Sequence, residues 1–91
     1  MNGSAVKIII TGVVQGVGFR YFIARAAAEL RLTGYVKNRF DGSVEIFAEG
    51  EKAFLDEIIK KARIGPSHSH VSSCKVEWLA FTNKYDNFEI F

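Results

Sequence analysis

Arg20 stands directly after Gln15-Gly16-Val17-Gly18-Phe19, and that setting suits the capture of an anion. Two glycines two residues apart free the backbone to take angles that other residues avoid, so that successive N–H groups can turn inward as a nest. The first N–H groups of a helix also lack partners, and the helix dipole favours negative charge there. A phosphate-sized group fits such a junction. A guanidinium beside it adds a planar, permanently charged fork matched to phosphate oxygens. Gln15, Gly16, Val17, Gly18, Phe19 and Arg20 are therefore the candidate binding residues. The second polar group of interest is Asn38, whose side-chain amide offers both a donor and an acceptor. Taken singly, Arg20 also reads as a solvated surface residue, and Asn38 as turn chemistry ahead of Asp41-Gly42.

These residues need elements to hold them. Ala5 to Thr11 is short and β-branched, which reads as a strand. Phe19, Phe22, Ile23, Ala26, Ala27 and Leu30 recur at three- and four-residue spacing, predicting a helix from about Phe19 to Leu32. Gly34 closes it. Tyr35 to Phe40 reads as a second strand, Asp41-Gly42 as a tight turn and Ser43 to Ala48 as a third strand. Glu51 to about Ile64 reads as a second helix with Phe54, Leu55, Ile58, Ile59 and Ala62 inward, and Glu57 and Lys61 four apart on its wet face. Gly65-Pro66-Ser67 stops it. Val71 to about Phe81 is a fourth strand, and Phe88 to Phe91 a short fifth at an edge. Met1 to Ser4 is expected to be loose.

The order βαββαβ plus a tail strand is that of an α+β, ferredoxin-like split βαβ fold, with a mixed sheet and two helices on one face. In it the first two strands are parallel with the third between them, so their C-terminal ends lie roughly 10 Å apart. Arg20 leaves the end of one and Asn38 lies near the end of the other. Val36 and Asn38 share a face, and Val36 belongs to the core. Asn38 is therefore expected on the side where the first helix begins.

The usual nucleotide loops do not fit. No Lys-Ser/Thr pair follows the glycines, and the third glycine of a dinucleotide fingerprint is absent. Val14-Gln15-Gly16-Val17-Gly18-Phe19-Arg20 instead resembles the signature of the acylphosphatase family. Gly34-Tyr35-Val36-Lys37-Asn38-Arg39-Phe40-Asp41-Gly42-Ser43-Val44 resembles that family's second motif. Arg31, Tyr35 and Lys37 stand where many members carry Gly, Trp and Arg. The resemblance implies hydrolysis of acyl phosphates to carboxylate and inorganic phosphate without a cofactor, metal or phosphoenzyme. It assigns Arg20 and the loop amides to the phosphate and Asn38 to the attacking water. A carboxylate departs without protonation, so no general acid is demanded.

Ninety-one residues make one domain, 1–91, with a thin core that eight Phe residues help to fill. A net charge of +2 with a pI near 8.8 suits a small anion but makes no nucleic-acid footprint, since no basic cluster exceeds Lys60-Lys61. An RNA-binding ferredoxin-like domain is one alternative, but strand three carries only Phe47 where such modules carry several aromatics. A non-catalytic anion-binding module is the other, and a chain of this length is expected to act by itself, as a monomer. His68 and His70 lack a third ligand at metal spacing, so no metal site is expected. Cys74 is alone and reads as an apolar strand residue. No signal peptide or membrane segment is read, which leaves the cytoplasm as the expected compartment.

Overall fold

The computed structural model describes residues 3–91. The elements run β1 (Gly3–Val13), α1 (Phe19–Glu29), β2 (Thr33–Asn38), β3 (Val44–Glu51), α2 (Lys52–Ile64), β4 (His70–Leu79) and β5 (Phe88–Ile90). The single sheet has the order β4-β1-β3-β2-β5. β3 is antiparallel to both β1 and β2, so those two strands are parallel to each other and lie two strand spacings apart. β5 pairs in parallel with β2 at the edge, Gly34 opposite Phe88 and Val36 opposite Ile90. This is the α+β split βαβ arrangement expected from the pattern, with the fifth strand formed.

Strand parity makes the core. Val6, Ile8 and Ile10 of β1, Val36 of β2 and Val44, Ile46 and Ala48 of β3 are buried with Phe19, Ile23, Ala26 and Ala27 of α1 and Leu55, Ile58 and Ala62 of α2. Phe54, expected inward, is 38% exposed, because it lies beyond the apolar stripe that Leu55 and Ile58 press against the sheet. Gly3 and Ser4, expected to be loose, begin β1 opposite Glu51 and Gly50, since the ladder to β3 continues to that point. The remainder of the expected loose segment, Met1 and Asn2, lies outside the described residues.

Helix α1 ends three residues before the expected Leu32. The Leu32 N–H donates to the Ala27 carbonyl (2.9 Å) and the Arg31 N–H to the Ala28 carbonyl (3.1 Å), with Arg31 at φ 57°. That is a Schellman closure with a non-glycine residue in the left-handed position. On α2, Glu57 pairs with Lys60, three residues on (3.4 Å), and not with Lys61.

The face of the sheet away from the helices is partly covered. Residues 80–87 must cross from β4 at one edge to β5 at the other. Tyr85 of this crossing packs tilted against Tyr35 and Phe47, and Phe91 stacks on Tyr35. The Glu49 carboxylate, only 1% exposed, accepts from the Thr82 N–H and hydroxyl and from the Asn83 N–H, fixing the start of the crossing to β3. On the same face the buried Glu45 carboxylate accepts from the Tyr35 hydroxyl.

Candidate active site

The loop between β1 and α1 is shaped by its glycines. Gly16 (φ 73°) and Gly18 (φ 81°) take left-handed angles and Val17 between them does not, which is the alternation a backbone nest uses. A Cβ on either glycine would meet nothing within 4 Å, so conformation and not crowding calls for glycine there. Gly18 caps α1 without any side-chain hydrogen bond, and the first turn carries no acidic residue. Among the described residues nothing accepts from the backbone N–H groups of Gln15 to Tyr21; the first to bond is Phe22, to the Gly18 carbonyl (3.0 Å). The helix start therefore keeps its donors and its positive dipole end available.

Two contacts fix the loop at its ends. Phe19 is buried in the core between α1 and the end of α2. Gln15 donates from Nε2 to the carbonyls of Arg39 (2.7 Å) and Ser43 (2.9 Å), tying the loop to the β2–β3 turn. In that turn the Arg39 N–H reaches the Ser43 carbonyl and the Gly42 N–H the Arg39 carbonyl, with Gly42 at φ 91°. The hairpin thus has a three-residue loop with a bulge, not the two-residue turn suggested by Asp41-Gly42. The Ser43 hydroxyl and N–H both donate to Asp41 Oδ1 and hold its carboxyl below the usual carboxylate range.

Arg20 and Asn38 line one cleft of about 430 Å³, together with Gly16, Gly18, Tyr21 and Ile90. Val14 and Phe19 complete its wall. The parity argument explains the meeting. Val36 is buried under the helices, and Asn38, two residues on, faces the same side at the strand end. Among the described residues no group hydrogen-bonds the Asn38 side chain. Arg20 Nη1 donates to the Phe91 carbonyl oxygen (2.7 Å), while the Phe91 N–H donates to the Val36 carbonyl (2.9 Å). The guanidinium is thereby oriented by the strand that borders β2, leaving its other N–H groups for the cleft.

Two expected binding residues have only their backbone left to offer the cleft. The Gln15 side chain is occupied by the hairpin, and Val17 packs against the core. Conversely, Tyr21, Ile90 and Phe91 were not read from the sequence. The tail carried a strand signal but nothing to say that it would lie beside β2 and hold Arg20. Cys74 is half-buried on β4, and burial pushes its thiol up, outweighing Arg63, a setting that disfavours the thiolate a nucleophile needs. Among the described residues no group of three or more His, Cys, Asp or Glu side chains could hold a metal ion, and no helix is long and apolar enough to cross a membrane.

The family model described as acylphosphatase matches residues 6–90. The chain belongs to the acylphosphatase family. It is 43% identical over 90 residues to the acylphosphatase of Chlorobaculum tepidum, covering 99% of this chain and 98% of that one. It is 44% identical over 86 residues to that of Archaeoglobus fulgidus, covering 94% and 96%. The crystal structure of acylphosphatase from Bacillus subtilis superposes with a TM-score of 0.93 at 39% identity, covering 97% of this chain and 98% of that one. In this acylphosphatase-family chain, the β1–α1 cleft is where the topology gathers the Arg20 guanidinium, the Asn38 amide and the unbonded N–H groups of the loop.

Proposed function

We propose that this chain hydrolyses the carboxyl–phosphate bond of acyl phosphates without a metal, gripping the phosphoryl group with the N–H groups of residues 15–20 and the Arg20 guanidinium while Asn38 orients the attacking water. The observation that carries this reading is the common cleft of Arg20 and Asn38 beside an uncapped helix start.

Phosphoryl transfer is mostly positioning and charge stabilisation. The loop amides and Arg20 neutralise the equatorial oxygens, and the Phe91 carbonyl keeps Arg20 from swinging out. The Asn38 amide holds a water in line with the scissile P–O bond. The water oxygen bonds to phosphorus as the P–O bond to the acyl group breaks, and the electron pair leaves on the carboxylate. Both water protons end on the phosphate, so an acyl phosphate dianion and water give a carboxylate and dihydrogen phosphate. No step needs a general acid, which fits a cleft whose named lining includes no titratable carboxyl or imidazole.

The two non-enzymatic readings fare less well. A sheet-face RNA site would meet the buried carboxylates Glu45 and Glu49 and a surface partly covered by Tyr85 and Phe91. A passive anion site leaves Asn38 without a task. The reading is tested with benzoyl phosphate and chelator present. Hydrolysis is expected, inhibited by inorganic phosphate, and Arg20→Gln loses both turnover and that inhibition. Phosphate inhibition retained in Arg20→Gln removes the guanidinium from the site.

A further inference from the structure

The hydrolytic reading fixes a direction. In-line displacement puts the attacking and leaving oxygens on opposite sides of phosphorus. With the water at Asn38, on the sheet, the leaving carboxylate faces the helical layer. The cleft wall contributed by that layer includes Gly18 and Tyr21, and these two residues also line a second cavity of about 550 Å³ that runs along α1 beside α2. Its remaining wall is Phe22, Arg25, Ala26 and Glu29 of α1 with Lys61 of α2. Positions 18, 21, 22, 25, 26 and 29 form one helical stripe, so the groove follows the helix away from the phosphate loop.

We propose that this α1–α2 groove is the acyl subsite, and that it favours acyl phosphates whose acyl portion carries a second anionic group. The inference rests on the hydrolytic reading and on the placement of Asn38. Tyr21 is 77% exposed beside the cleft and offers an aromatic face to the acyl carbons, with partly buried Phe22 behind it. The charges of the groove do not cancel. Arg25 touches Glu29 only loosely, at 3.9 Å with side chains 84% and 66% exposed. Lys61 makes no ion pair among the described residues, because Glu57 is taken by Lys60. Two cations therefore face one carboxylate. From Gly18 to Arg25 the helix rises roughly 10 Å, and the Arg25 side chain can reach back over part of that distance. An acyl group the size of a benzene ring would bring a para substituent to these cations. Exposed charge pairs are weak, so the preference is about two- to fivefold for each cation.

The test compares kcat/KM for 4-carboxybenzoyl phosphate and benzoyl phosphate. With the pull of the two cations partly offset by Glu29, the wild-type ratio is expected to be about three to ten at low salt, carried mainly by KM, and to fall toward one in about 0.5 M salt. Arg25→Gln and Lys61→Gln each lower the ratio, and Lys61→Glu takes it lower still. Lys75→Gln, on the opposite face of the sheet, leaves it where it was, which separates local recognition from steering by net charge. A wild-type ratio at or below one, or a ratio that responds to Lys75 as strongly as to Lys61, overturns the groove alone. Failure to hydrolyse either compound overturns the hydrolytic reading and the groove with it.

Discussion

Asn38→Ala isolates the water-positioning role. The side chain is exposed and makes no hydrogen bond within the described chain, while its backbone pairing with Val44 does not depend on the amide. Stability is therefore expected to stay within about 0.5 kcal/mol of wild type. In the proposed mechanism the loop and Arg20 grip the phosphate, so inhibition by inorganic phosphate should be retained within about twofold. Turnover should not be retained. Without the amide the water loses its orientation, and the loss of one such group costs on the order of 10²–10³ in kcat, equivalent to about 3–4 kcal/mol of activation free energy. Because the interaction belongs to the transition state, kcat and kcat/KM should fall together. Initial rates with benzoyl phosphate, phosphate inhibition and a urea melt of the same preparation give all three quantities. A kcat within tenfold of wild type refutes the role. A tenfold weaker phosphate inhibition with little change in kcat refutes it differently, by making Asn38 part of the grip. Asn38→Asp adds a negative charge to the anion cleft and should weaken phosphate inhibition as well as turnover.

Three further expectations test the scaffold. Arg31→Gly relieves a left-handed angle that costs a non-glycine residue about 1–2 kcal/mol, offset in part by the freer unfolded chain; a net gain of about 0.5–1 kcal/mol should appear as a higher urea midpoint, and a loss would contradict the Schellman closure at Arg31. Glu49→Ala strips the acceptor from three donors at Thr82 and Asn83 and should cost about 2–4 kcal/mol with turnover per folded molecule nearly unchanged, since Glu49 lies at the opposite end of β3 from the cleft; a selective drop in kcat would contradict that separation. Burial, then the hydrogen bond and charge of Glu45, with Tyr85 adding to them, raise the Tyr35 hydroxyl far above its ordinary value of 10.0. The folded state thus holds this proton more tightly than the unfolded one, so the contribution is whole below pH 10 and is lost as pH rises beyond it. Tyrosinate absorbance should show one of the three tyrosines ionising only with unfolding, and Tyr35→Phe should flatten the alkaline loss of stability; all three ionising near pH 10 in folded protein would overturn the environment assigned to Tyr35.

The folding pattern and the meeting of Arg20 and Asn38 in one cleft were legible in the sequence because both depend on local rules. Period-two and period-3.6 apolar spacing place Val36, Ile46, Ile23 and Ile58 inward. The order of the elements then leaves few topologies, all of which bring the ends of β1 and β2 to one edge. Gly16 and Gly18 announce a left-handed loop before any coordinate is known. Those same rules cannot say where a short tail goes. Phe88 to Phe91 carries strand propensity, but its docking beside β2, and hence the bond from Phe91 to Arg20, comes from contacts more than fifty residues apart in the chain.

Side-chain partners were likewise beyond the pattern. Gln15 reads as a residue that shapes the anion loop, but its partners, the Arg39 and Ser43 carbonyls of the hairpin, are not in the pattern. Glu45 and Glu49 alternate with apolar neighbours on β3, and both are buried on the sheet face that residues 80–87 and 91 partly cover. Alternation tells which face a residue occupies, not whether another segment later covers that face. The sequence by itself determined the strand–loop–helix junction, the core and the parity that turns Asn38 toward Arg20, since each follows from backbone period and residue type. Only the tertiary structure decided what orients Arg20, what holds the loop and which groove leads away from it, because those depend on distant segments meeting, and local preference carries no information about distance across the fold.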